Sequence, residues 1–317
     1  MKFREESYRV SNWSRREFLS ETLLVAAALT AGCGRAAPAA PNGLPLRRRP
    51  RTGLKKVLAV VRGTDIPAQV RAAFSALGGL ERIISPGMTV LIKPNMSWAR
   101  RPEQAATTHP EVVGGVVRLC RECRAAKILV LDNTCNNARR SYALSGIAAA
   151  ARKAGAEVQH LSSADMVRIP LPQPAPFPEW PIARAALEAD VIINLPVAKH
   201  HSLSRVSLGV KNLMGLIGDD RGDWHKVLPP SLLALQKILV PEVTLLDATR
   251  ILMNHGPQGG RLDDVRRMNL VAASPDPFAI ESFGAEILEA GPDEVPLLTE
   301  ARKRKLVAPL PRLEESL

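Results

Sequence analysis

The feature that most restricts the fold is a series of short apolar runs separated by segments of helical periodicity. Each run has the length of one strand and shows no polar alternation, as expected of strands buried on both faces. Such strands, joined by helices, predict a three-layer α/β/α fold with a mostly parallel sheet. The predicted strands are residues 57–61, 89–92, 128–131, 158–160, 191–194, 243–246 and 270–273. The clearest predicted helices are residues 66–77, 111–126, 142–154, 180–188, 231–239 and 277–290.

The first 56 residues differ in composition from this alternating region. Residues 1–33 contain the pattern S-R-R-E-F-L, beginning at Ser14, which is typical of a twin-arginine export signal. Residues 34–56 carry seven basic and no acidic side chains, more than half of the formal net charge of +12. Their Pro and Ala content predicts an extended linker. We therefore expect a signal peptide (1–33), a basic linker (34–56) and a single α/β domain (57–317).

The export signal predicts passage through the twin-arginine translocation machinery to the periplasm or elsewhere outside the cytoplasmic membrane. Cys33 ends a T-A-G-C sequence that is similar to a bacterial lipoprotein cleavage box. It either carries a lipid or is removed with the signal. The lipid, or attraction of the basic linker to anionic headgroups, would hold the protein at a membrane surface. Nucleic acid is not an expected partner, because the basic run lacks interleaved aromatic residues and export separates the two.

Polar residues follow directly after four of the predicted strands. Because parallel strands end at one edge of the sheet, where α/β proteins place ligand crevices, these side chains are expected to converge. The alternative is that each one caps a helix or shapes a turn. The convergence of several favours a pocket. The residues are Lys93, Asn95, Asp132, Asn194 and Asp247.

The segment after residues 191–194 adds two lysines and a histidine to the predicted crevice, which becomes electropositive and suited to a small anionic ligand. Catalysis would use a lysine with a lowered pKa and a nearby proton acceptor. Lys199 and Lys211 are expected to face solvent, so that their removal weakens binding but not stability. The polar loop 219–225 would close over the ligand. The predicted catalytic residues are Lys199, His201, Lys211 and Asp132, and the predicted ligand-binding residues are Lys93, Asn95, Asn194 and Asn212.

Other chemistries remain open. A divalent metal held by mixed nitrogen and oxygen ligands is one of them, although no two candidates have a recognised spacing. A redox protein using Cys120, Cys123 and Cys135 is another, but three thiols cannot complete a four-cysteine iron–sulfur cluster, so a cluster is not expected. The sequence does not separate an enzyme acting on an anion from a noncatalytic surface binding protein. The metal-ligand candidates are Asp247, His225, His255 and Glu281.

An ordered set of motifs resembles the domain-of-unknown-function 362 family over about residues 57–291. The core is N-L-P-x-x-K-x-H, ending at His201, followed by S-L-G-V-K-N-L-M-G, ending at Gly215. The resemblance selects His201 over His200 as the site histidine and implies no activity, because the family's role is largely unassigned. Val197 and Glu281 depart from the pattern, and the ferredoxin-like cysteine cluster of many relatives is absent from this sequence. Supporting motifs are K-P-N from Lys93, L-D-N to Asn133, Trp224-His225, G-P-x-G-G from Gly256 and S-P-D-P-F-A-I-E to Glu281.

Overall fold

The structure is a computed structural model that describes residues 53–291 and 293–317, all of which belong to one compact unit. The predicted export signal, the cleavage box at Cys33 and most of the basic linker lie outside the described residues. Within the described part of the chain, no helix is both long and apolar enough to cross a membrane.

Strands and helices alternate through most of the chain. The strands are β1 (Leu58–Arg62), β2 (Thr89–Pro94), β3 (Lys127–Val130), β4 (Glu157–Val158), β5 (Met166–Pro170), β6 (Glu179–Ala183), β7 (Val191–Leu195), β8 (Val197–His201), β9 (Arg205–Ser207), β10 (Val243–Leu252), β11 (Val265–Ser274) and β12 (Arg312–Ser316). The helices are α1 (Ile66–Ala76), α2 (Pro110–Glu122), α3 (Ala138–Leu144), α4 (Ile147–Ala154), α5 (Arg184–Glu188), α6 (Gly209–Asn212), α7 (Leu228–Gln236), α8 (Pro277–Ile287) and α9 (Pro296–Lys303).

The main sheet has the strand order β12-β1-β11-β10-β7-β2-β3-β4, with β8 paired to β10 and β9 paired to β8. Strands β10, β7, β2, β3 and β4 form a continuous parallel block, and β1 is parallel to β12. Only β11, against β1 and β10, and the β8–β9 hairpin are antiparallel within this sheet. Strands β5 and β6 form a separate antiparallel hairpin.

Hydrophobic cores lie on both faces of the sheet. Alternate residues of β1 enter different cores, since Leu58 and Val60 pack into one cluster and Ala59 and Val61 into the other. Helices α1, α2 and α4 cover the second cluster, while α7, α8 and α9 contribute to the first. The predicted three-layer α/β/α fold with a mostly parallel sheet is therefore confirmed.

Two predicted helices differ from the structure. Residues 180–188 begin as strand β6, because pairing with β5 overrides the local helical pattern, and only Arg184–Glu188 is helical. Residues 142–154 form two helices instead of one. The break occurs at Gly146, whose φ of 71° is a left-handed conformation that glycine adopts at low cost.

The continuation of β7 into β8 brings the predicted site to the sheet edge. After Pro196 the chain continues beside β10, with Val197 paired to Asp247 and Lys199 paired to Leu252. The Asp247 amide donates to the Pro196 carbonyl at 2.8 Å across the junction. Lys199 and His201 thus lie on strand β8, beyond the carboxyl end of β7.

Candidate functional site

The polar network at the sheet edge begins with a buried ion pair between Lys93, in β2, and Asp132, the second residue after β3. Lys93 Nζ lies 3.0 Å from Asp132 Oδ1, and both side chains are at most 1% exposed. The same ammonium donates to the Pro94 carbonyl (2.6 Å) and to Asn212 Oδ1 (3.3 Å). Burial lowers the pKa of Lys93, and the charge of Asp132 opposes this effect. The ammonium is thus enclosed by one carboxylate and two protein acceptors.

Asn212 joins the ends of strands β2 and β7 through an amide whose hydrogen-bonding capacity is fully used. Its Nδ2 donates to the Lys93 carbonyl (3.1 Å) and to Asn194 Oδ1 (2.8 Å). Its Oδ1 accepts from Lys93 Nζ and from Asn95 Nδ2, the latter at 3.1 Å. Two donors and two acceptors are the whole capacity of an asparagine amide. Asn212 and Asn194, which also donates to the Gly209 carbonyl at 2.8 Å, therefore hold the scaffold together.

A cavity of about 460 Å³ opens above this network, at the carboxyl edge of the sheet. Lys93, Asp132 and Asn194 lie beneath it and do not line it, contrary to the prediction that Lys93 and Asp132 face the crevice. Asn95 and Asn212 form part of its floor. The other side chains of the wall that carry ionisable or hydrogen-bonding groups include Lys199, His201, Lys211, Arg221, His225 and Cys135.

Lys199 reaches the cavity from β8 and is almost entirely buried. Its Nζ donates to Asn95 Oδ1 (3.1 Å) and to the Ala106 carbonyl (2.6 Å), which leaves one N–H for a ligand. Burial, the largest cause, lowers its pKa to about 7. The expectation that Lys199 faces solvent is wrong: it is 1% exposed, because β8 pairs with β10 and carries it into the interior. Its removal would leave two buried acceptors without donors.

Lys211 contacts His225 across the cavity wall. The distance from Lys211 Nζ to His225 Nε2 is 3.3 Å, and His225 Nδ1 lies 3.2 Å from the Arg221 carbonyl. The carbonyl can only accept, so Nδ1 carries the hydrogen and Nε2 accepts from the ammonium. Burial lowers the pKa of Lys211 to about 8, and burial followed by the charge of Lys211 lowers the pKa of His225. The histidine is therefore the neutral member of the pair.

His201 is arranged as a hydrogen-bond donor. Its Nδ1 accepts from the Leu203 amide at 3.1 Å, so the neutral ring carries its hydrogen on Nε2. Burial and then the charge of Lys211 lower its pKa to about 2, which keeps the ring neutral at physiological pH. The ring stacks on His225 with centroids 5.6 Å apart. The predicted role of proton acceptor does not fit this geometry, because neither ring nitrogen offers a free lone pair.

Asp132 does not fit a proton acceptor for the ligand either. Its Oδ2 accepts from the Met96 amide at 2.6 Å, and its other oxygen pairs with Lys93. Gly215 covers the pair from the cavity side, since a Cβ at this position would overlap Asp132 Oδ1 and Lys93 Cε. The carboxylate is thus a structural counter-ion below the cavity floor.

The four metal-ligand candidates have separate partners. Asp247 accepts from Thr249 Oγ1 (2.7 Å), and His255 Nδ1 lies 2.9 Å from Asp264 Oδ2. Glu281 accepts from the Val210 amide (2.6 Å), and burial raises its pKa to about 7. His225 contacts Lys211. The described residues contain no group of three or more His, Cys, Asp or Glu side chains that could hold a metal ion.

The three described cysteines are free thiols at two different places. Cys120 and Cys123 lie at the end of α2, before β3, and burial raises the pKa of both. Cys135 follows β3 at the opposite edge, where it is exposed on the cavity wall. The arrangement does not assemble the three thiols into one redox site.

Arg221 is a cavity residue that the sequence did not single out. It donates to the Asn133 carbonyl at 2.7 Å and to the Thr134 carbonyl at 3.2 Å, and its Nη2 lies 3.7 Å from Cys135 Sγ. It belongs to the polar loop 219–225, of which residues 219–222 and 225 line the cavity. The sequence feature that could have identified it is its position as the single arginine in a loop with three aspartates.

Comparison with known proteins shows both a relative and a distant structural likeness. The chain is 29% identical to thylakoid-associated protein sll1697 from Synechocystis sp. (strain ATCC 27184 / PCC 6803 / Kazusa) over 248 residues, 73% of this chain and 72% of that protein. The fold of this chain is similar to that of the lactate racemase apoprotein from Thermoanaerobacterium thermosaccharolyticum, with a TM-score of 0.46 and 15% identity. That likeness covers 76% of this chain but only 58% of the racemase.

A family model described as Domain of unknown function (DUF362) matches residues 90–286. The matched region contains the motifs from Lys93 to Glu281, including both parts of the core signature. The match begins later than residue 57, where the resemblance was expected to start. It nonetheless spans more than half of the 317 residues. The chain therefore belongs to the domain of unknown function 362 (DUF362) family.

Proposed function

We propose that the protein binds a small organic anion, a carboxylate or a phosphate monoester, in the cavity at the sheet edge. One observation carries the proposal. Lys199, Lys211 and Arg221 line the cavity, and among the described residues none of the three forms an ion pair with a carboxylate. Partly or fully buried cations with only neutral acceptors are costly, and an anionic ligand recovers that cost.

The donors that remain unused suit such a ligand. Lys199 retains one N–H, Lys211 retains one beyond its contacts with His225 and Met214 Sδ, and His201 presents Nε2–H. Charge-assisted hydrogen bonds from ammonium groups to carboxylate or phosphate oxygens are stronger than neutral ones. The two lysines supply charge, while the neutral His201 supplies orientation.

An enzyme acting on the bound anion is a second candidate function. The observation that favours it is the pKa of Lys199, about 7, which makes this ammonium able to give or take a proton near neutral pH. In a binding protein the lysine only needs its charge. An enzyme would lose turnover in Lys199→Arg while keeping its affinity for the anion.

The binding proposal predicts a large loss of affinity in Lys211→Met. Isothermal titration calorimetry with acetate, oxalate, inorganic phosphate and methyl phosphate identifies an anion that the wild type binds. Losing a charge-assisted hydrogen bond then weakens its binding roughly tenfold to hundredfold. The matched control is Lys237→Met, which removes an exposed lysine at the end of α7 and should leave the affinity unchanged. Equal affinity in wild type and Lys211→Met would refute the proposal.

We also propose that the protein is exported and acts outside the cytoplasmic membrane. The S-R-R-E-F-L pattern supports this. The relative from Synechocystis sp. is named a thylakoid-associated protein, which agrees with a place at a membrane. Replacing Arg15 and Arg16 with lysine is expected to trap the precursor in the cytoplasm, as judged by cell fractionation. Export of the variant at the parental level would show that the pattern is not a signal. Release of Cys33→Ser from membranes would indicate a lipid anchor.

A further inference from the structure

A second cavity, of about 150 Å³, lies against the cavity that contains the basic groups. Most of its lining is apolar and comes from β9, helix α7 and the start of α9. The polar groups on its wall already have partners. Ser204 Oγ donates to the Val206 carbonyl at 2.8 Å, Glu281 accepts from the Val210 amide, and Lys226 pairs with Asp223 at 2.9 Å. The apolar lining residues that shape it are Val206, Leu228, Leu232, Val295 and Leu297.

The two cavities share one wall. Leu203, Lys211 and His225 line both of them, and the contact between Lys211 Nζ and His225 Nε2 stands between the two spaces. Leu203 is 69% exposed on this shared wall, so its side chain is free to contact a ligand that spans the two spaces. An anion bound to Lys211 from the larger cavity would have its substituent next to the apolar space.

We infer that the side cavity holds the apolar substituent of the bound anion, so that the ligand is amphiphilic. The headgroup, a carboxylate or phosphate, binds Lys211 and Lys199, and a hydrocarbon group extends past Leu203 into the side cavity. A cavity of this volume with aliphatic walls accommodates a group of about six carbon atoms, the size of benzene. This inference rests on the proposed function, because it needs an anion at Lys211.

The test is a chain-length series measured by isothermal titration calorimetry. The probes are n-alkyl carboxylates from acetate to octanoate and n-alkyl phosphates from methyl to octyl phosphate. Burial of each methylene is expected to tighten binding about fourfold, up to about six carbons, after which the affinity levels off. The gain in affinity with chain length is expected in the carboxylate series, the phosphate series or both, according to which headgroup the larger cavity binds.

Two variants locate the gain in the side cavity. Leu297→Trp fills the cavity, so the affinity for acetate or methyl phosphate is kept and the gain with chain length is lost. Leu306→Trp, at a site 42% exposed beyond α9, is the matched control and keeps the gain. If Leu297→Trp does not fold, Leu203→Ser tests the side cavity instead, because the exposed Leu203 side chain can be changed without disturbing the core. It should lower the gain at least severalfold over the series.

The outcomes separate the two proposals. Binding that tightens with chain length in wild type supports the side cavity if the gain is lost in Leu297→Trp or at least severalfold smaller in Leu203→Ser. Anions that bind in a Lys211-dependent way with an affinity independent of chain length overturn this inference alone. The same holds for a gain that survives both variants. If neither series binds at any chain length, the proposed function falls and this inference falls with it.

Discussion

Lys93→Met is expected to lower the free energy of unfolding by about 4 kcal/mol, because it leaves the Asp132 carboxylate buried without its cation. The two side chains are at most 1% exposed, so water does not replace the lost partner. The variant also removes donors from the Pro94 carbonyl and from Asn212 Oδ1. Urea denaturation measures the change, and the melting temperature should fall by about 10 °C.

The exposed pair of Arg71 and Glu122 provides the control for this prediction. Its N–O distance of 2.6 Å is shorter than that of the buried pair, yet its side chains are 57% and 53% exposed. Arg71→Met should therefore cost no more than about 1 kcal/mol. The double variant Lys93→Met/Asp132→Asn should recover part of the loss, since an amide oxygen can still accept from Met96. A loss in Lys93→Met as small as that in Arg71→Met would show that the pair does not hold the sheet edge.

Gly215→Ala is expected to destabilise the protein by about 3 kcal/mol or more through overpacking. The added Cβ would overlap Asp132 Oδ1, and it would lie 2.5 Å from Lys93 Cε and 2.6 Å from Lys93 Nζ. Neither side chain can move into solvent, because both are buried on all sides. Accommodation would have to separate the ion pair or displace α6 and the turn after it, and thermal denaturation records the cost.

Gly114→Ala is the matched substitution for Gly215→Ala. Gly114 is buried in α2, and its nearest neighbours to a Cβ are the end of the Arg118 side chain at 3.4 Å and the Ala150 carbonyl at 3.8 Å. An alanine there meets ordinary contacts and gains helix propensity, so stability should be unchanged or higher by up to about 1 kcal/mol. A similar melting temperature for the two variants would contradict the steric role of Gly215.

The layer architecture could be predicted from the sequence because its strands are apolar without alternation, which is a local signal. Strands β2, β3 and β7 were expected close to where they lie, and β10 begins where expected but continues to Leu252. Strands whose identity depends on a distant partner were missed. Residues 180–183 pair with β5 in spite of their helical pattern, and β12, exposed along its whole length, is held by pairing with β1.

Convergence of the strand-end residues could be predicted only in part: Lys93, Asn95 and Asn194 meet at Asn212, whereas Asp247 bonds to Thr249. The role of each side chain could not be predicted. Lys93 and Lys199 look alike in sequence, yet Lys93 forms an ion pair with Asp132 beneath the cavity, whereas Lys199 lines the cavity. The tautomer of His201 depends on the Leu203 amide, and the burial of Lys199 depends on β8 pairing with β10. Such roles follow from tertiary hydrogen bonding, which composition and spacing do not encode.

The most direct test of an anion site built on Lys211 is the pH dependence of anion affinity, measured by calorimetry with a carboxylate that binds. Lys211 has a pKa of about 8 and Lys199 of about 7, so both lose their charge as the pH rises, while the ligand stays ionised. Affinity should be highest near about pH 6 and fall at least about tenfold by about pH 9. In Lys211→Met, only the part of the fall due to Lys199 should remain. An affinity that is the same at both pH values, or a full fall retained in Lys211→Met, would contradict the account.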